Sequence, residues 1–169
     1  MATQVAMNEA ARMIMPVALR ILVPVDATER SRWSARYAMW RCRQAIAVEV
    51  ELLFVAEPVT NWEVLRFRTQ SEVARFQAER GQFLLEDAAQ PLVQAGVAVR
   101  MNYREGDVAF QILDTAEQLD CHEIVLPAPH SRWTRLLSRD VVRQVMQKQR
   151  RIPVVTVNAD GLPEHALQG

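Results

Sequence analysis

Five short apolar runs, each parted from the next by at least ten residues with helical character, constrain this chain more than any other feature. Arg20 to Val25 (RILVPV) reads as a strand, Asp26-Ala27-Thr28 as a turn, and Ser31 to about Ala47 as a helix. Val48 to Ala56 (VEVELLFVA) begins with strict alternation and ends continuously apolar, as a strand does when it enters a sheet covered on both faces. Glu57 and Pro58 stop it. From about Ser71 to Gln94, Val73, Phe76, Phe83, Leu84, Ala88 and Leu92 recur near helical spacing. Gly81 weakens the middle of that helix and Pro91 bends its end. Val97 to Tyr103 is a third strand, Val108 to Leu119 a third helix and Glu123 to Leu126 a fourth strand. A fourth helix starts near Asp140, and Pro153 introduces a fifth strand, VVTV.

Strands that alternate with helices need right-handed crossovers, which give a parallel α/β sheet with helices on both faces, a doubly wound domain. In such sheets ligands bind outside the carboxyl ends of the strands, where the winding reverses. The loops that carry function are therefore expected after the first and fourth strands, at Asp26 to Glu29 and Pro127 to Arg139.

The chain has 169 residues, half of them hydrophobic, which suits one well-packed domain. Twenty basic and twenty acidic residues cancel, so bulk charge does not draw the protein to nucleic acid or to an anionic membrane. Cys42 and Cys121 form no CxxC pair, which argues against a disulfide framework or a zinc site and for a reducing, cytoplasmic setting. No apolar run approaches the roughly 20 residues that span a bilayer. Residues 1–18 carry a weak apolar face (Val5, Ala6, Ala10, Met13, Ile14) and read as a flexible arm. Residues 159–169, with Gly161 and Pro163, read as a flexible tail, and 19–158 as the domain between them.

The stretch ILVPVDATERS (Ile21 to Ser31) resembles the opening of a universal stress protein, whose first strand ends in an aspartate followed by a small residue and Ser or Thr. LFVAEP, REGDVAFQILDTAEQLDCHEIVLP and IPVVTV match later parts of that family in order and spacing, from Arg20 to Val157. The resemblance implies a flavodoxin-like (Rossmann-like) sheet of five parallel strands in the order 3-2-1-4-5. It also implies a stress-response role and a homodimer paired through the last strand, Val154, Val155, Thr156 and Val157. Nucleotide-binding members carry G-x-x-G, nine residues, then G-[ST] after the fourth strand. An ungapped alignment sets those four positions on Pro127, His130, Asp140 and Val141, and none matches. A phosphate-cradling loop relies on small residues and backbone N–H donors, and Pro127 and Pro129 remove two of them. Asp140 would face the phosphates as a like charge, costing roughly 4 kcal/mol at about 4 Å and an effective dielectric near 20. Val141 lacks the matching hydroxyl. Asp26 and Ala27 match the family's loop beside the nucleotide, and Val55 a position whose backbone meets adenine. His130, Ser131, Arg132 and Arg135 lie in the altered loop.

Each of these residues also has a purely structural reading. Asp26 either positions a nucleotide or metal, or bonds its own backbone as a turn former. Asp140 before a helical run is a plain N-cap. His130 has no ligand partner at metal spacing and reads as a solvated loop histidine. The basic concentration Arg132, Arg135, Arg139, Arg143, Lys148, Arg150 and Arg151 is either a solvated face or an anion or acidic-partner surface. Trp33 and Trp40, seven apart on the first helix, read as packing residues. No catalytic motif, metal site or nucleophile–base pair is assembled, and no aromatic-basic alternation suggests single-strand binding. The sequence is thus read as a non-enzymatic, cytoplasmic stress-response protein without a cofactor, acting as a homodimer on an unidentified protein partner. The alternatives are an ATP or AMP sensor using the altered loop, a weak ATP hydrolase with metal at Asp26, and an accessory subunit docking by its N-terminal arm.

Overall fold

The computed structural model describes residues 18–44, 46–59, 66, 68–128, 139–149 and 151–164. In chain order the elements are β1 (Leu19–Pro24), α1 (Ser31–Arg43), β2 (Val48–Ala56), α2 (Gln70–Gln94), β3 (Ala98–Glu105), α3 (Val108–Gln118), β4 (Glu123–Pro127), α4 (Arg139–Lys148) and β5 (Val154–Val157). The strands form one parallel sheet in the order β3-β2-β1-β4-β5, the order that the family resemblance implied.

Strand alternation divides the apolar residues between two cores. Ile21, Val23, Val50, Leu52 and Phe54 face α1 and α2, while Leu22, Leu53, Ile124 and Leu126 face α3 and α4. Trp33 and Trp40 pack against the first of these cores, as read from their spacing. α2 begins with a full capping box. Thr69 Oγ1 accepts from the Glu72 amide at 3.2 Å, and the Glu72 carboxylate accepts from the Thr69 amide at 2.8 Å. α3 is capped by Asp107, whose Oδ1 accepts from the Phe110 amide at 2.8 Å.

The α2 pattern needs correction. Phe76 and Phe83 are 64% and 68% exposed, and the buried stripe is Gly81, Leu85, Ala88, Ala89 and Leu92. The stripe shifts because Gly81 lets the helix ride directly on Phe54 and Tyr103, whose rings stack with centroids 5.9 Å apart. Pro91 stands inside α2 near its end, and the helix continues to Gln94.

Glu51 is buried in the middle of β2, on the α3 side. Its carboxylate accepts from Asn102 Nδ2 at 3.0 Å and Arg100 Nη1 at 3.4 Å, with Arg20 Nε at 4.0 Å. A charge is tolerated there because cations and an amide from both neighbouring strands face it.

Residues 159–164, at the start of the expected tail, are built into a turn. The chain turns back after β5, Gly161 adopts φ +77°, and Pro163 forms an antiparallel bridge with Val157. Arg36 donates to the Ala159 carbonyl at 2.5 Å and ties this turn to α1. Residues 1–17 of the expected arm, and residues 165–169 of the tail, lie outside the described residues.

Candidate functional site

The winding reverses between β1 and β4, and the registers show how a crevice opens there. β1 stays paired with β2 as far as Pro24↔Leu53, whereas its pairing with β4 runs only over Ile21↔Glu123 and Leu22↔Ile124. Beyond Leu22 the carboxyl ends of β1 and β4 therefore part, as they do at the switch points of doubly wound sheets.

Asp26 stands in the loop that follows β1 and is only 6% exposed. Its Oδ1 accepts from the Thr28 amide at 2.8 Å and the Thr28 hydroxyl at 2.6 Å, while its carbonyl accepts from Ser31 Oγ at 3.2 Å. These bonds fold the loop into a side-chain-braced turn that launches α1, so the turn-forming role of Asp26 is realised. Among the described residues no group of three or more His, Cys, Asp and Glu side chains is gathered to hold a metal ion.

Arg30 occupies the crevice. It leaves the β1–α1 loop, donates through Nη2 to the carbonyl of Ala128, the residue after β4, and lies 5.3 Å from the centre of the Trp33 ring. Burial lowers the pKa of this guanidinium, and the neighbouring Asp26 charge opposes the shift. The loops expected to frame a ligand are thus bridged by a cation. Sequence reading missed Arg30, since nothing in its neighbourhood distinguishes it from Arg32, which makes surface ion pairs with Glu29 and Asp87.

A cavity of about 180 Å³ lies beside the crevice, lined by Val25, Asp26, Val55, Phe76, Arg80 and Val108 among others. That is close to the roughly 150 Å³ that accommodates a benzene ring in an apolar protein cavity. Val55, matched by the resemblance to a position beside adenine, is among its lining residues. Phe76 and Arg80 were not anticipated as lining, because helical spacing alone does not say which side of α2 faces the sheet. A second depression of about 320 Å³, on the other side of the Asp26 loop, includes Ala27, Arg32, Phe83 and Asp87.

The remaining sequence candidates are only partly brought together. Pro127 is buried at the end of β4, beside Val157 in the register. Asp140 is exposed and lies inside the first turn of α4, after Arg139, which corrects its reading as the N-cap. There it pairs with Arg143 at 3.5 Å and still meets the favourable end of the helix dipole. Val141 packs half-buried on the α3–α4 core. His130, Ser131, Arg132 and Arg135 fall outside the described residues, as do Trp62, Trp133 and Arg150. Of the basic concentration, Arg143, Lys148 and Arg151 are exposed. The edge of β5 is already engaged by its own chain, because the Glu164 amide donates to the Thr156 carbonyl at 2.8 Å.

Comparisons with known proteins agree with this architecture. A universal stress protein from Burkholderia pseudomallei superposes with a TM-score of 0.65 at 20% identity, covering 82% of this chain and 95% of that one. UspA from Lactobacillus plantarum does so with 0.64 at 18%, covering 82% and 96%. The Archaeoglobus fulgidus universal stress protein in complex with dAMP gives 0.57 at 18%, covering 85% and 99%. No curated protein sequence matches the chain significantly. At these identities the superpositions establish the fold, and the sequence pattern of one family extends over residues 19–158. The chain belongs to the universal stress protein family.

Proposed function

We propose that this protein is a non-catalytic stress-response regulator of the cytoplasm that does not hold ATP by its triphosphate. One observation carries the reading. Arg30 spans the switch-point crevice and takes the Ala128 carbonyl, in the place where an open cradle would be needed. Pro127 supplies no backbone donor there, and Asp140 adds a negative charge near the start of α4. The metal-dependent hydrolase reading would place a divalent ion at Asp26, whose Oδ1 is already taken by the Thr28 amide and hydroxyl. Regulation then runs through a protein partner, and pairing of two copies depends on the state of the β5 edge.

A second reading is favoured by the ring-sized cavity at Val25, Asp26 and Val55. A nucleoside monophosphate makes fewer demands on a phosphate cradle than ATP, and the dAMP complex of the Archaeoglobus protein gives this class a precedent in the family. Calorimetric titration with Mg²⁺-ATP, AMP and dAMP separates the readings. No heat from any ligand at millimolar concentration supports the first, and heat from AMP or dAMP alone supports the second. Micromolar ATP binding refutes the account of Arg30 and Pro127.

A further inference from the structure

The outer edge of β5 offers a small and definable set of peptide groups. The Ile124 amide donates to the Pro153 carbonyl at 3.0 Å and the Ala128 amide to the Val157 carbonyl at 2.8 Å, so Pro153, Val155 and Val157 turn their backbone toward β4. Alternation then points the amides and carbonyls of Val154 and Thr156 away from the sheet. Such an edge is a template for another strand unless it is covered.

Here the chain covers it. The Val154 amide donates to Gln149 Oε1 at 3.1 Å, and the Thr156 carbonyl accepts from the Glu164 amide at 2.8 Å. The Thr156 hydroxyl reaches the Glu164 carbonyl at 3.4 Å, and just past the strand the Asn158 amide donates to Leu162 O at 3.0 Å. The returning segment is held in place by a braced turn. Asn158 Oδ1 accepts from the amides of Asp160 and Leu162, each at 3.0 Å. Gly161 is buried against α1, where an added Cβ would lie 2.5 Å from Arg36 Cβ and 2.6 Å from the Tyr37 amide nitrogen. Because Leu162 and Glu164 face β5, the backbone nitrogen of Pro163 faces outward, and it carries no hydrogen to donate. The cap therefore covers one edge without presenting another complete one.

The same four groups are self-complementary. In an antiparallel pair about a two-fold axis at Val155, Val154 of one copy faces Thr156 of the other, and each such pair exchanges two N–H···O bonds. VVTV bears no charge, so no like-charge opposition arises across the pair. Two of the four, the Val154 amide and the Thr156 carbonyl, are those that Gln149 and Glu164 now hold.

We propose that Asn158–Glu164 is a built-in edge cap that, together with Gln149, competes with a second copy of this chain for the peptide groups of Val154 and Thr156. With the cap seated, copies do not pair through β5; with it released, they do.

The experiment compares the full chain with a variant lacking residues 159–169 by sedimentation equilibrium, with circular dichroism to check folding. The deletion is expected to lower the dimer dissociation constant at least about tenfold, the worth of one net hydrogen bond. Gly161→Ala in the full chain, which unseats the turn without removing residues, shifts association in the same direction. Adding Thr156→Pro to the deletion removes an outward amide that the β4 ladder does not use, and returns the protein to monomer. The proposal is overturned if the folded deletion variant associates no more tightly than the full chain. It is equally overturned if Thr156→Pro abolishes a dimer already formed by the full chain, since the cap would then not have excluded one.

Discussion

Replacing Gly81 by alanine sets helix propensity against packing at a single position. In a solvated helix interior the change stabilises by about 1 kcal/mol, because glycine loses more backbone freedom on folding. In this helix the new methyl would stand 2.6 Å from Phe54 Cδ1, 2.9 Å from Phe54 Cε1 and 3.0 Å from Tyr103 Cδ2. Neither ring moves freely, since the two stack on each other and Phe54 is itself buried. Overpacking of this kind costs about 1–3 kcal/mol, so the net expectation is a loss of about 1 kcal/mol. For a domain of this size that lowers Tm by about 2–4 °C. Urea unfolding of Gly81→Ala, Phe54→Leu and the double variant isolates the contact. With the Phe54 ring gone, the alanine should regain its propensity advantage and become stabilising, giving a coupling energy near 1 kcal/mol or more. An increase in stability from Gly81→Ala alone, with Phe54 intact, would falsify the claim that close approach of α2 to the sheet selects glycine here.

Two further expectations concern ionisable groups. At pH 8 iodoacetamide should label the folded protein at Cys42 only, and at both cysteines in urea, because Cys121 is buried and its thiol is pushed up to about 12, mainly by burial and then by Glu51. Rapid native labelling of Cys121, read by peptide mass spectrometry, contradicts this. The Tyr37 phenol is likewise raised from 10.0 to about 12, by burial first and then by the Glu123 carboxylate. Between pH 10 and 12 the unfolded chain has lost this proton and the folded chain keeps it, so the contribution is complete below pH 10 and disappears as pH rises toward 12. Chemical unfolding across this range should show a shallower fall for Tyr37→Phe than for the unaltered protein, and equal slopes would rule the assignment out.

The strands were legible because a two-sided sheet requires runs such as RILVPV and VEVELLFVA, and few other structures use them. Their order came with the family resemblance. Features created by distant contacts were less legible. Glu51 occupies an ordinary polar slot in an alternating strand, and only the approach of Arg100 and Asn102 from β3 makes a buried charge tenable. Phe76 and Phe83 fit a helical stripe by spacing, yet the helix turns Gly81 to the sheet because glycine allows the closest approach. Gly161 and Pro163, read as part of a flexible tail, serve a tight turn and a single bridge to Val157 whose outer side has no donor. The glycine is the only residue type free of a Cβ at that φ, and the same composition favours either outcome until Arg36 is known to be there.

Two arginines of the first helical region give these separate features a common geometry. Arg30 reaches the carbonyl of Ala128 beyond β4, and Arg36 reaches the carbonyl of Ala159 beyond β5. Each ties the N-terminal half of the sheet to a carboxyl end in the other half, where backbone carbonyls lack strand partners. Charged donors suit that task because a long side chain crosses the gap and its hydrogen bond to a carbonyl is stronger than a neutral one. The two ties differ in surroundings: Arg30 is held against Trp33 within the crevice, and the Arg36 bond is exposed. Closure of the crevice and seating of the edge cap therefore rest on different bonds, one from the residue before α1 and one from α1 itself. Loss of the Arg30 tie opens the crevice and leaves the β5 edge covered, while loss of the Arg36 tie loosens the cap and leaves the crevice bridged.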